Sequence, residues 1–299
     1  MPDVMQLLLQ HAFSGITLGS IYAVVAIGFN IVYSTTGVLN FAQGEFVMLG
    51  GMTAVTLAAF TPLPVAIAGA VLLAGLCGAG LELALFRPLR RHSTLHMIII
   101  TIGLSIVIRD AALHIWDEKV RALPYFTGDE VSSVRLLGAA ISPQVLWVLG
   151  TVGLLVLVLH VFYRHTLAGR AMRACASNPE AALLVGIDTA NMRTLAFALS
   201  AALGGLGGCV ISPISMTAYD MGAGLAIKGF AGAILGGLGH PMGAVVGGLL
   251  VGLAESYSVL SGIPAAYKDA TAFAILLAAL FLRPHGLFGS PERESLKEL

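Results

Sequence analysis

The stretch GVLNFAQGEFVMLGG, Gly37 to Gly51, sets an asparagine, a glutamine and a glutamate within six positions of one another in a chain with few polar residues to place. Of the 299 residues, 57% are hydrophobic and only 11% charged, and the mean hydropathy is +0.90. Soluble domains carry ~25% charged residues. A water-soluble core has no use for this much apolar surface, so the composition indicates a polytopic membrane protein. The 16 basic and 16 acidic residues cancel and give no reason to expect a nucleic-acid partner. Cys77, Cys175 and Cys209 lie far apart, without the spacing of a metal site or a disulfide framework. The N-terminal MPDVMQLLLQHAF has neither a basic leader nor a cleavage signal, which suggests no removable signal peptide.

A bilayer core ~30 Å thick is crossed by about 20 helical residues. Long apolar runs are not the alternating strands of a barrel, so the fold class is all-α, a transmembrane helical bundle. Candidate spans run from 7 to 33, 44 to 60, 63 to 86, 97 to 116, 144 to 163, 193 to 213, 242 to 260 and 266 to 282, with a shorter apolar piece at 226 to 238. Pro62, Pro143 and Pro264 punctuate span ends. If the short piece crosses, the count is about nine, with eight to ten allowed by hydropathy. Positive charge then falls on one side: Arg87, Arg90 and Arg91, then Arg164, Arg170, Arg173 and Arg193, then Arg283, Arg293 and Lys297. The expected topology is a single transmembrane domain over 1–299 with the N-terminus outside and the C-terminus in the cytoplasm. A cytoplasmic loop spans 163–193, and an external loop spans 117–143, where Asp117, Glu118, Asp129 and Glu130 offset Lys119, Arg121 and Arg135.

The opening stretch now has a setting. Thr35, Thr36 and Gly37 are poor mid-helix residues, so the helix ending near Tyr33 breaks and a new one starts around 40 to 44, with Asn40 as its N-cap. A second interruption lies late in the chain, where Gly222, Gly224, Gly239 and Pro241 bracket a short apolar segment. Both regions carry an apolar-Leu-Gly-Gly motif, VMLGGM at 47–52 and AILGGLG at 233–239, a weak internal repeat. Broken helices in matching halves point to a translocation pathway. Small residues four apart, including Gly204 with Gly208, Gly232 with Gly236 and Gly243 with Gly247, let helix backbones approach where lipid gives no drive to associate.

Ionisable groups inside spans are costly and mark function or interhelical locks. Glu45, Arg109, Asp110, Lys228 and Glu255 are the ones to explain, and the lock reading pairs Glu45 or Glu255 with Arg109 or Lys228. Glu82, beside Arg87 at a span end, is expected to snorkel and is assigned no role. His114 and Trp116 suit an interfacial belt. On the cytoplasmic side, SNPEAALLVGI offers Ser177 or Asn178 as N-cap, Pro179 in the first turn, Glu180 at the positive end of the dipole and Gly186 as a stop. Flanked by Arg170 and Arg173, this helix is too short to span and is shaped to dock on a soluble partner, or else simply joins two spans. Neither a phosphate-binding loop nor a metalloprotease or nucleophile-elbow motif occurs, so a transporter of this kind takes its energy from another chain.

Four segments together carry a family resemblance: residues 19–52, GRAMRACASNPEAALLVGI at 169–187, IKGFAGAILGGLGHPMGAVVGGLLVGLAES at 227–256, and AYKDATAFAILLAALFLRPHGLFG at 266–289. From about residue 12 to 289 the chain resembles the LivH-type permeases of branched-chain amino acid ABC importers. The resemblance implies an inner-membrane importer subunit that works by alternating access. It pairs with a LivM-type permease, is driven by two ATPase subunits and is fed by a periplasmic binding protein. It implies no cofactor or metal of its own, since ATP is bound by the partners. Asn40, Phe41, Ala42, Gly44 and Glu45 match the family's N-F-A-x-G-E motif, and Gln43 stands where many members carry histidine. These residues, with Lys228 and Glu255, are the expected pathway or supporting groups, and Gln43 either holds the broken helix or touches ligand. The resemblance also makes 170–187 the coupling helix, with Gly169, Arg170, Arg173, Asn178, Glu180, Ala182 and Gly186 as its residues. A urea or short-amide permease of the same family is the alternative ligand reading. A channel or secondary carrier using Glu45, Asp110 or Glu255 for a coupling ion is the alternative mechanism.

Overall fold

The computed structural model describes residues 4–88, 94–129, 131–136, 139–283 and 285–289. Arg90, Arg91, Glu130, Arg293 and Lys297, which enter the charge argument, lie outside them. Eleven α-helices follow one another among the described residues: α1 (Val4–Thr36), α2 (Gln43–Ala58), α3 (Leu63–Leu81), α4 (Thr94–Trp116), α5 (Pro143–His165), α6 (Leu167–Ser177), α7 (Pro179–Leu184), α8 (Thr189–Ser215), α9 (Met221–Gly236), α10 (Pro241–Leu260) and α11 (Lys268–Leu282). One π-helical turn, Glu82–Phe86, extends α3. The connection between α4 and α5 contains a short hairpin, β1 (Val134–Leu136) with β2 (Ala139–Ile141), that its charge pattern does not announce.

Among the described residues, six helices are long and apolar enough to cross a membrane: α1, α3 with its π turn, α4, α5, α8 and α10. By contrast, α2 and α9 have 16 residues and α11 has 15. At 1.5 Å per residue these shorter helices reach about 24 Å, less than the hydrocarbon thickness. Helix ends follow local chemistry. Ser142, Thr166, Asn178 and Asp188 accept hydrogen bonds from the first-turn amides of α5, α6, α7 and α8, and His240 Nδ1 does the same for Gly243 on α10. Gly186, at φ +85°, ends the α7 turn, and Gly237, at φ +104°, ends α9, both in conformations that a side chain disfavours.

From Gly15 onward α1 is almost wholly buried and forms the axis of the bundle, with α8, α9 and α10 packed around it. Outside these, α4 and α5 turn mostly apolar residues such as Ile106, Val107, Leu154 and Leu157 outward. Glycines set the closeness of the inner helices. A Cβ on Gly19 would meet the backbone of Leu249 at 2.8 Å, and one on Gly232 would meet Gly248 Cα at 2.9 Å. On the other side of α8, Gly208 lies against the Val47 carbonyl and Gly204 against Phe46.

The interruption after α1 is deeper than a loop at the surface. Gln43, the first residue of α2, lies against Gly28, and a Cβ on Gly28 would fall on the Gln43 amide. Gly28 precedes the end of α1 by eight residues, about 12 Å of helix. Residues 37–42 therefore climb back into the bundle, and α2 starts part-way through it. The two Leu-Gly-Gly motifs do not share a position: Leu49–Gly51 is mid-helix in α2, whereas Leu235–Gly237 ends α9.

Gly236 faces the Gly243 carbonyl at the α9–α10 turn, closer than a Cβ can sit. Gly236→Leu is expected to lower the thermal unfolding midpoint of the detergent-solubilised protein, at a cost of about 1–3 kcal/mol or more. Gly153→Leu, with open space around it, is the control expected to leave the midpoint unchanged.

Candidate functional site

Three groups of polar residues stand out, and the first holds the interrupted helix. Gln43 is fully buried. Its Nε2 donates to the Ser200 carbonyl at 3.0 Å, and its Oε1 accepts from the Ser200 hydroxyl, which also lies 2.9 Å from the Gly28 carbonyl. The amide thus ties α2 to α8 beside α1 with both ends engaged. Asn40 is not the N-cap of α2: Ala42 takes that position, and Asn40 Oδ1 instead accepts from the Ala42 amide at 3.1 Å. The physical reason is the re-entrant backbone, which needs a side-chain turn of its own before the helix can begin. Phe41 closes the segment, its ring 6.3 Å from Phe29 and 5.4 Å from Phe230. One turn into α2, Glu45 is buried, with Oε1 accepting from Ser105 at 2.8 Å and Oε2 facing Gly222 at the start of α9 without a hydrogen-bond partner. Gly44 and Gly222 are the glycines that permit this approach.

The second group is a charge cluster linking α1, α9, α10 and α11. Lys228 Nζ donates to Glu255 Oε1 at 2.9 Å and pairs with Asp269 Oδ1 at 2.7 Å. The Tyr22 hydroxyl donates to Glu255 Oε2 at 2.8 Å and lies 3.2 Å from the ammonium. Lys268 is 3.8 Å from Glu255. Glu255 is 1% exposed and Asp269 59% exposed, so one cation is shared between a sequestered and a solvated carboxylate. Of the pairings considered for Glu255, that with Lys228 is the one present. Asp110 is not a buried charge: its side chain is 68% exposed and pairs with His114 one turn along α4 at 3.7 Å. This peripheral helix directs Asp110 outward, where no interhelical partner is required.

The third group is the connection between α5 and α8. It holds two helices rather than one, broken at Asn178, whose Oδ1 caps α7 by accepting from Ala181 at 2.9 Å. Gly169, Met172 and Cys175 bury one face of α6, while Arg170 and Arg173 face out. Gly169 rests against the Phe162 carbonyl at the end of α5. Ala182 packs inward from α7, and Glu180, Leu183, Leu184 and Val185 are exposed. Leu184 is 88% exposed, a large apolar side chain with no intramolecular cover.

Glu82 corrects the expectation of snorkelling. It is fully buried in the π turn, accepts from the Thr194 hydroxyl and lies 3.6 Å from Arg193 Nε. Sequence reasoning also missed Ser200, Ser105, Tyr22 and Asp269, as well as Asn30, whose Oδ1 accepts from the Gly239 amide at 2.7 Å at the second interruption. Asn30, an amide inside an apolar span, and Asp269, a carboxylate inside the 266–282 span, offered a signal; single hydroxyls in apolar helices are too common to point anywhere. An internal cavity between α1, α5 and α8, lined by Val24, Val148, Val152 and Val210, measures about 10 Å³. That is room for about one water and far below the ~300–1,000 Å³ of ligand pockets.

Residues 11–280 match the family described as branched-chain amino acid transport system, permease component. The chain is 33% identical to the high-affinity branched-chain amino acid transport system permease protein LivH of Salmonella typhimurium, over 96% of this chain and 97% of that one. It is 34% identical to the corresponding protein BraD of Pseudomonas aeruginosa, over 99% and 100%. A partial match, 32% identical over 47% of this chain and 44% of the other, is to the autoinducer 2 import system permease protein LsrC of Escherichia coli O9:H4. Among solved structures, PsaBC from Streptococcus pneumoniae in complex with Fab superposes with a TM-score of 0.51 at 13% identity, covering 97% and 95%, which is a likeness of fold.

The charge cluster makes its own test. Lys228→Met takes the nearest cation from buried Glu255, leaving it the Tyr22 hydroxyl and Lys268 at 3.8 Å, and is expected to cost up to about 3–5 kcal/mol of stability. Asp269→Asn removes a solvated partner and is expected to cost less than ~1 kcal/mol. Unfolding of the two variants in the same detergent compares them directly.

Proposed function

Since the chain belongs to the permease-component family of branched-chain amino acid transport systems, we propose that it carries branched-chain amino acids across the bacterial inner membrane by alternating access, powered by ATPases on separate chains. As a multi-pass permease subunit of an ABC importer it is a transport protein rather than an enzyme. The observation that carries the coupling half of this reading is α7, a capped two-turn helix whose Leu183, Leu184 and Val185 stand uncovered beside Arg170 and Arg173. A short amphipathic element of this kind seats in a groove on another protein, and here the occupant is the ATPase.

The rest of the assembly follows from the same reading. A second permease of LivM type pairs with this chain to complete the passage. A periplasmic binding protein delivers ligand to the outer face and supplies most of the selectivity. ATP stays on the partner subunits, and this chain holds neither cofactor nor metal. It forms one transmembrane domain with the N-terminus outside and the C-terminus in the cytoplasm. Reporter fusions at residues 130 and 180 are then expected on opposite sides of the membrane, and a shared side would overturn the orientation. Asn40, Phe41, Gln43 and Glu45 support the pathway by fixing the re-entrant segment, with Gln43 acting as a lock rather than as a ligand contact. Lys228 and Glu255 hold α9 to α10 in the same way.

Branched-chain amino acids, rather than urea or a short amide, are the ligand class that fits relatives matched along their whole length. Leucine uptake by the complete importer tests the reading. Glu180→Lys and Gly186→Trp are each expected to leave the permease inserted while lowering leucine uptake at least about fivefold, the scale of a lost intersite coupling. Normal uptake in both would remove α7 from the coupling surface.

A further inference from the structure

A carboxylate buried at the end of a membrane span needs a reason, because it persists only where its surroundings hold it. Glu82 sits in the π-helical turn that closes α3, where the Arg87 amide reaches back to the Glu82 carbonyl at 2.9 Å. Its side chain contacts the first turns of α8: Oε2 accepts from the Thr194 hydroxyl, and Oε1 faces Arg193 Nε at 3.6 Å with no hydrogen bond to either atom. Turns of π-helix concentrate at functional positions. One turn along, Phe86 packs against Phe197 in a tilted pair with ring centroids 5.1 Å apart, inside a cluster that also holds Val32 of α1, Val38 of the re-entrant segment and Met97 of α4.

These contacts form a continuous route. The α6–α7 connection leads through Asp188, which caps α8, into Arg193 and Thr194. From there Glu82 fastens α3 to α8, and the Phe86–Phe197 pair presses on Val38. Three residues beyond Thr194, Phe197 meets that cluster, and two turns beyond, Ser200 grips Gln43. A displacement of α7 therefore reaches the start of α2 through one rigid corner, provided Glu82 keeps α3 and α8 together.

We propose that Glu82 is a positioning residue for energy coupling: it locks the π turn of α3 to the first turns of α8, so that movement of the cytoplasmic connection is delivered to the interrupted helix at residues 37–42. This rests on the reading that α6 and α7 receive the ATPase. Coupling carried through packed elements needs two sites biased by one two-state element, and the corner of Glu82, Thr194 and Arg193 joins the two regions.

The test uses the complete importer in proteoliposomes, with leucine as probe, and reads leucine accumulated per ATP hydrolysed. A wild-type complex that fails to bind the ATPases, or that accumulates leucine without ATP, would defeat the functional reading itself. Given a coupled wild type, Glu82→Ala is expected to lower the ratio at least about fivefold while hydrolysis continues, with Glu82→Gln, which keeps the Thr194 contact, lying between the two. Should Glu82→Ala not assemble, Thr194→Val carries the test; it lacks only the hydroxyl donor and is expected to lower the ratio in the same direction. An unchanged ratio in assembled Glu82→Ala, or in Thr194→Val, would overturn the proposal and leave Glu82 a packing residue.

Discussion

Backbone amides and carbonyls inside a bilayer must find partners within the protein, and every unusual feature of this chain answers to that requirement. Residues 37–42 break the helical ladder and return into the bundle, so their polar groups are wrapped by α1, α8 and α9 rather than left to lipid. The wrapping is possible because glycines remove the side chains that would keep the helices apart, at Gly204 and Gly208 against α2 and at Gly44 against Gly222. Where a side chain does intervene, it is Gln43, whose amide bonds both the carbonyl and the hydroxyl of Ser200 on α8 and leaves neither of its ends free. Asn40 and Phe41 complete the enclosure by turning the segment and covering it.

The same constraint explains where charge is found. Lys228, Glu255 and Tyr22 satisfy one another between four helices, with Asp269 providing a solvated edge. Glu82 accepts from the Thr194 hydroxyl and lies 3.6 Å from Arg193 at the junction of α3 and α8, next to the α5–α8 connection. The large apolar residues left uncovered on α7 are a different matter, since they lie outside the span-length helices.

Much of the architecture was legible because apolar length alone determines what can cross a bilayer. All the candidate spans appear as helices, and the doubtful piece at 226–238 proves to be most of α9. Caps at Asn178 and the stop at Gly186 were readable from local chemistry. Sidedness within a span was not. Lipid and protein interior are equally apolar, so a membrane helix carries little periodic record of which face meets which neighbour. That is why Asp110 seemed buried when it faces outward, why Glu82 seemed to snorkel when it is sequestered, and why Ser200 passed unnoticed among alanines. The depth of the 37–42 segment was hidden for a related reason: a polar turn at the surface and one drawn back beside Gly28 have the same composition.

On the proposed reading, this member of the permease-component family is a gate that other chains move. The direct measurement is leucine accumulation in vesicles containing this protein alone, compared with vesicles containing the whole importer and internal ATP. Accumulation against a gradient only in the complete, ATP-supplied assembly is the expected result. Concentration of leucine by the isolated chain, driven by an ion gradient, would contradict it and make this protein a carrier in its own right.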